Sequence, residues 1–198
     1  MQKTVEEDRN LYIGGSDIPI IMGISPFKTY YQLLKEKVGI EEPEKVENEY
    51  IDYGNIMEGK IRDYINETYS TNFVEDMKIV GDIRCHVDGI DKNINEIIEI
   101  KTTSKIHKKL RTYKYYLVQL LFYMMTYEIN KGKLLVYERP KDFNEEFNPE
   151  LLNIYDVSRD EFNDFEEEIV KAIDKFRVDK KRLEDNCLLG EEDFEWLN

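Results

Sequence analysis

The sequence predicts an α/β (α+β) fold, a β-sheet flanked by helices. Three observations lead there. Apolar residues recur at helical spacing through the first seventy positions. Three runs of strand-like alternation follow between residues 73 and 102. An apolar helix, two further strand-like runs and a long amphipathic helix complete the order.

In chain order, "SDIPIIMG" (16–23) reads as a short helix preceded by Gly14-Gly15, with Ser16 at its start. "TYYQLLKEKVG" (29–39) carries a capping-box pattern, Thr29 and Gln32, and a closing glycine. "IEEPEKVENEY" (40–50) is a polar, acidic loop. "NIMEGKIRDYINETY" (55–69) is helical, with Met57, Ile61, Tyr64, Ile65 and Tyr69 on one stripe. In "DIRCHVDG" the two-residue period puts Ile83, Cys85 and Val87 on one face and Arg84, His86 and Asp88 on the other. In "NEIIEIKT", Ile98 and Ile100 oppose Ile97, Glu99 and Lys101. "YYLVQLLFYMMTY" (115–127) is nearly all apolar and therefore buried, "KLLVYER" and "LLNIYDV" are strands, and a helix is expected over 158–183, starting at Ser158.

The 198 residues fit one domain, 1–189, followed by an acidic tail, 190–198, that carries Phe194 and Trp196 and suits a docking peptide or a flexible end. No apolar run is long enough to span a membrane, and MQKTVEEDRN lacks a signal-peptide core. Two cysteines, Cys85 and Cys187, fit a reducing cytosol and are too few for a zinc ribbon or an iron–sulfur cluster. The net charge of −14 is polarised: residues 142–198 hold 19 acidic and 7 basic side chains, leaving −2 on the first 141. Within those, "KTTSKIHKKLRTYK" has six Lys or Arg and no acid, so it is either a solvated face or a phosphate-facing surface.

The chemistry concentrates in "CHVDGIDKNINEIIEIKTTS" (85–104). Charged groups inside alternating apolar strands cost free energy unless paired or ligated. Two antiparallel strands joined by a short turn bring Asp88 beside Glu99, and the period places Lys101 on the face of Glu99. Such carboxylates are hard ligands suited to Mg²⁺ or Mn²⁺, and a lysine alongside can orient or deprotonate water. That is equipment for phosphodiester hydrolysis; an ordinary solvated Glu–Lys pair is the alternative. Three further features bear on the choice. Glu58 borders its helix's buried stripe, where it can join a metal site or simply pair with Arg62 at i+4. Gln119, the lone polar residue of the apolar helix, has Tyr123 one turn on and needs partners, in the core or in a site. Gly14-Gly15-Ser16 at a helix start offers amides to an anion, or a plain N-cap.

Together these stretches resemble the lambda exonuclease/YqaJ-like viral recombinase family of the PD-(D/E)XK nuclease superfamily, over roughly residues 9–180. The shared blocks are "RNLYIGGSDIPIIMGISPFKTYYQLLKEKVG", "YGNIMEGKIRDYI", "VDGID", "IIEIKTT" and "QLLFY". The resemblance implies a restriction-endonuclease-like core with a mixed central sheet, and Mg²⁺-dependent digestion of duplex DNA, 5′→3′ in lambda-type relatives. It implies metal on Asp88, Glu99 and the Ile100 carbonyl, in one or two ions, with Glu58 assisting and Lys101 positioning water. Gln119 and Tyr123 complete the catalytic set. Arg9 and Ser16 fall where lambda-type enzymes grip the terminal 5′-phosphate, and Lys105, Lys108, Lys109 and Arg111 are candidate DNA contacts. A homotrimer and a single-strand annealing protein are the implied partners, in the bacterial host cytoplasm. His86 replaces a phosphate-contacting serine of the lambda enzyme, and Leu121 a second glutamine. The expectation is a phage-type DNA exonuclease of recombination. A nicking endonuclease on the same core, or a non-catalytic DNA-binding or inhibitory protein, is the alternative.

Overall fold

Among the described residues of the computed structural model, 9–43 and 48–188, the elements run β1 (Ile13–Gly14), α1 (Ile18–Ile21), α2 (Tyr30–Val38), α3 (Glu49–Tyr69), β2 (Val74–Val80), β3 (Ile83–Asp91) and β4 (Glu96–Thr103). α4 (Lys114–Tyr127), β5 (Lys131–Glu138), β6 (Leu152–Ser158) and α5 (Asn163–Leu188) follow. The expected mixed sheet with flanking helices is present. The acidic tail, 190–198, lies outside the described residues.

Local chemistry sets the boundaries. Thr29 and Gln32 form the capping box, and Gly39 closes α2 at φ 82°, a conformation suited to glycine. α3 begins at Glu49 rather than 55, because the Asn48 side chain accepts the N–H groups of Tyr50 and Ile51. Met57, Ile61 and Ile65 are buried as expected, but Tyr69 at the helix end is exposed. α5 starts at Asn163 and not at Ser158: β6 continues to Ser158, which pairs with Lys131, and a 3-10 turn over Arg159–Glu161 intervenes. Ser16 caps no helix. It sits inside a 3-10 turn, Gly15–Asp17, and Asp17 precedes α1.

Alternation sorts the core onto two faces of the sheet. Ile98, Ile100, Leu135 and Tyr137 pack against Tyr53, Met57, Ile61 and Ile65 of α3. Cys85, Val87, Ile97, Leu134 and Val136 pack on the other side, against α1, α4 and α5. The sheet order is β1-β3-β4-β5-β6, with β2 also on β3. β2 pairs along almost all of β3, from Ile83 to Ile90. β1 pairs with Ile83 and Arg84, and β4 with Gly89 to Asp91. Each overlaps β2 in register, so β1 and β4 share the opposite edge of β3 and leave a gap between them at residues 85–88.

At that gap the strict two-residue period fails. Val74 pairs with Ile90 but Asp76 with Val87, so three steps of β3 face two of β2. This is a β-bulge centred on Asp88-Gly89. Ile90 thereby joins the face of Cys85 and Val87, against simple alternation from Asp88. Gly89 is required, because a Cβ there would lie 2.7 Å from Ile98 Cγ1.

Arg177 of α5 clasps the β2–β3 turn through both oxygens of Asp82, at 2.6 and 2.9 Å. These hydrogen bonds hold the Asp82 carboxyl below its usual range. Its stabilisation is therefore complete above the unfolded value and lost as pH falls through the lower folded one. Asp82→Asn is expected to cost about 0.5–1 kcal/mol at pH 7, a surface-pair magnitude, and less at pH 2. Urea unfolding at the two pH values checks this.

Candidate active site

Beyond the Gly89–Ile98 pair, β3 and β4 part. The carboxylate of Asp88 occupies the split and accepts the Ile100 N–H at 2.7 Å. An extended residue sends its N–H and C=O to the same side, so the Ile100 carbonyl faces this gap as well. Glu99 stands next to it, wholly buried, with Lys101 Nζ 2.5 Å from Oε1. Neither Glu99 oxygen has a well-formed hydrogen bond. The expected convergence of Asp88, Glu99 and Lys101 is realised.

The opened sheet admits groups from both layers. From α3, Glu58 pairs with Arg62 at 3.2 Å. The same guanidinium donates to the Asp88 carbonyl and to Glu75. From α4, Gln119 Nε2 donates to the Tyr123 hydroxyl at 3.0 Å. Of the two alternatives for Glu58, the ion pair with Arg62 is formed, and Asp88 is near enough for its charge to act on the Glu58 carboxyl.

Electrostatics confirm the crowding of negative charge. Burial, then Asp88, pushes the Glu99 carboxyl up to about 8, against the pull of Lys101. Burial also raises Asp88, with Lys101 and the Ile100 amide opposing it. Burial and then Asp88 raise Glu58. Burial alone would lower Lys101, but Glu99 and Asp88 outweigh it and hold the ammonium charged. Tyr123 is driven well above its usual value by burial and by Glu99.

Among the described residues, no three His, Cys, Asp or Glu side chains form a metal-holding cluster. The donor set here is smaller: two carboxylates and one carbonyl. It fits a hard divalent cation, since Mg²⁺ uses few protein ligands and keeps its waters or takes phosphate oxygens. The buried Glu99 Oε2, which has no hydrogen-bond partner, is the observation behind that fit.

A cavity of about 230 Å³ adjoins the gap, with Arg9, Ser16, Lys37, Arg84, His86 and Tyr123 among its walls. Arg9 and Ser16 are thus brought together as expected. Lys37 is committed elsewhere: buried, it binds Asp17 at 2.7 Å and the carbonyls of Arg9 and Tyr12. Arg84, Lys37 and the hub role of Arg62 escaped the sequence reading. The position of Arg84 two before His86 was a signal; nothing in the sequence marked Lys37. Lys105, Lys108, Lys109 and Arg111 are all exposed, and Arg111 also lies over the rings of Phe162 and Phe165, at 5.5 and 5.6 Å. None of the four lines the cavity.

Gly15 closes the wall, because a Cβ there would sit 2.3 Å from the Tyr123 ring. Gly15→Ala is expected to destabilise by about 1–3 kcal/mol through overpacking. Gly59→Ala, in α3 with nothing within 4 Å of the added carbon, should instead stabilise by about 0.5–1 kcal/mol. Chemical denaturation of the two variants gives both signs.

The sequence model of the YqaJ-like viral recombinase domain matches residues 6–130. No curated protein matches the sequence. The phage-related exonuclease from Haemophilus somnus 129PT is similar in structure, with TM-score 0.69 and 13% identity over 89% of this chain and 96% of that one. The alkaline exonuclease LHK-Exo from Laribacter hongkongensis gives TM-score 0.62 and 13% identity, over 92% and 96%. Its complex with dAMP gives the same score and identity over 91% and 95%. At such identity these likenesses establish the fold.

Proposed function

The chain belongs to the YqaJ-like viral recombinase family, and from that premise we propose a divalent-metal-dependent exonuclease that digests duplex DNA, 5′→3′, in phage-type recombination. The observation that carries the reading is Glu99: a fully buried carboxylate with one ammonium, Lys101, on Oε1, no hydrogen-bond partner on Oε2, and a second carboxylate beside it. An apolar fold has no use for that arrangement, and a phosphodiester hydrolase has. The two similar structures are exonucleases by name, and one was obtained with a nucleotide, dAMP.

Asp88, Glu99 and the Ile100 carbonyl would hold Mg²⁺ or Mn²⁺. The bound ion supplies Lewis acidity to the phosphate and to the attacking water. The chain's own groups do the rest. Lys101, kept protonated by its carboxylate neighbours, acts as a donor that orients the water or a phosphate oxygen. Glu58, steered by Arg62, accepts a hydrogen bond from the same water. Tyr123 stays a neutral phenol, fixed by Gln119, and packs the wall between the acidic gap and the cavity. In that cavity Arg9, Arg84 and the Ser16 hydroxyl suit a terminal 5′-phosphate, and the His86 ring takes the place of a hydroxyl found in lambda-type relatives.

End-labelled linear duplexes, with and without 5′-phosphate, should be digested in Mg²⁺ and left intact in EDTA, the phosphorylated ends faster. Cutting of closed circles would reject end dependence, and undiminished activity in EDTA would reject the metal. Lys101→Ala is expected to lower hydrolysis by about 10²-fold or more while duplex binding, measured by anisotropy, stays within twofold. Unchanged cleavage would remove Lys101 from the mechanism.

A further inference from the structure

Outside the acidic gap and its cavity, one surface is built in a way that folding does not require. Phe27 is 83% exposed, yet its segment is fixed. Its N–H donates to Ser25 Oγ at 3.2 Å, and the next residue, Lys28, reaches both oxygens of the buried Glu36 at 2.6 and 2.7 Å. The exposed ring meets Tyr115 edge-on, 6.4 Å between centroids. Tyr115 and Tyr116 lie 4.0 Å apart, and Lys101 Nζ stands 5.8 Å over the Tyr116 ring. A continuous aromatic strip therefore leads from the candidate catalytic ammonium to solvent. Tyr113 stacks on Tyr116 at 6.1 Å. Its hydroxyl accepts the His107 N–H at 2.6 Å, which moors the loop bearing exposed Lys105, Lys108 and Lys109.

A lone exposed phenylalanine is ordinary. A fixed one, continuous with tyrosines that reach an active-site lysine and joined through Tyr113 to a loop of exposed lysines, is not. Aromatic faces with cations alongside are how proteins bind single-stranded nucleic acid, each stacked base contributing about 1–3 kcal/mol. The centres of protein–protein interfaces are instead depleted in lysine, which speaks against a protein partner on this strip. We propose that Phe27, with the Tyr115–Tyr116 pair behind it, is a stacking platform for unpaired bases of the DNA strand next to the scissile phosphate. The lysines of the 105–109 loop follow its backbone. This rests on the nuclease reading for its substrate, but it is tested by binding alone.

The test is anisotropy of a labelled single-stranded oligonucleotide with the full chain in EDTA. Phe27→Ala should weaken binding about tenfold, the loss of one stacked base, and Phe27→Trp should restore it. With an abasic residue scanned along the oligonucleotide, one position should make wild type and Phe27→Ala bind equally. Because the side chain is exposed, an unchanged melting temperature shows that the variant is folded. Equal affinity of wild type and Phe27→Ala for every oligonucleotide overturns the platform. So does a shift in sedimentation caused by Phe27→Ala with affinity unaltered, which would make the strip a contact between copies of this chain. If Phe27 governs binding while wild type degrades no DNA in Mg²⁺, the platform stands and the nuclease reading falls. Digestion that proceeds with Phe27 irrelevant to binding gives the reverse.

Discussion

One ion pair, the wholly buried Glu99 with the partly exposed Lys101, constrains everything around it. Removing a carboxylate from water costs several kcal/mol before the attraction of the ammonium is counted. A second carboxylate, Asp88, adds repulsion and raises Glu99 further. No gain in fold stability accounts for that arrangement, since apolar residues at 99 and 101 would suit the face of Ile97 on β4 equally well. The strands instead carry a standing electrostatic deficit that a divalent cation is suited to relieve.

Backbone geometry makes the deficit possible. In a regular antiparallel pair, the Ile100 amide would be used in the ladder and Asp88 would project from one face of the sheet. The bulge at Asp88-Gly89 and the end of pairing at Gly89–Ile98 turn the Asp88 carboxylate into the ladder's own place. The sheet is open there. Glu58 from one helical layer and Tyr123 from the other thus come to the same point, though α3 and α4 pack on opposite faces. A continuous sheet would keep those layers about 10 Å to either side.

Much of this was legible in the sequence, because periodicity is a local property. Alternation placed Glu99 with Lys101, the short turn brought Asp88 opposite, and 3–4 spacing set Glu58 at the border of its stripe. The misses have physical reasons. The bulge is a property of two strands together, and Ile90 changes face only because β2 is one residue shorter over that span. Ser158 looked like a helix start because its hydroxyl suits a cap, but pairing with Lys131 keeps it in β6. Lys37 could not be seen at all: its partners are Asp17 and two carbonyls twenty or more residues away.

The distribution of charge brings a protein of net −14 to terms with a polyanion. α5 carries half of its acids in i,i+4 pairs, such as Glu167 with Lys171 and Asp185 with Lys181, on a helix packed against α1, α2 and α4. Repulsion from exposed acids fades beyond a Debye length of about 8 Å at physiological salt. Close to the gap the balance differs: Lys101 pairs with Glu99, and Arg9 and Arg84 line the adjoining cavity. Residues 142–198 carry −12 of that −14, so the acidic excess lies apart in sequence from residues 1–141, which form the gap and its cavity.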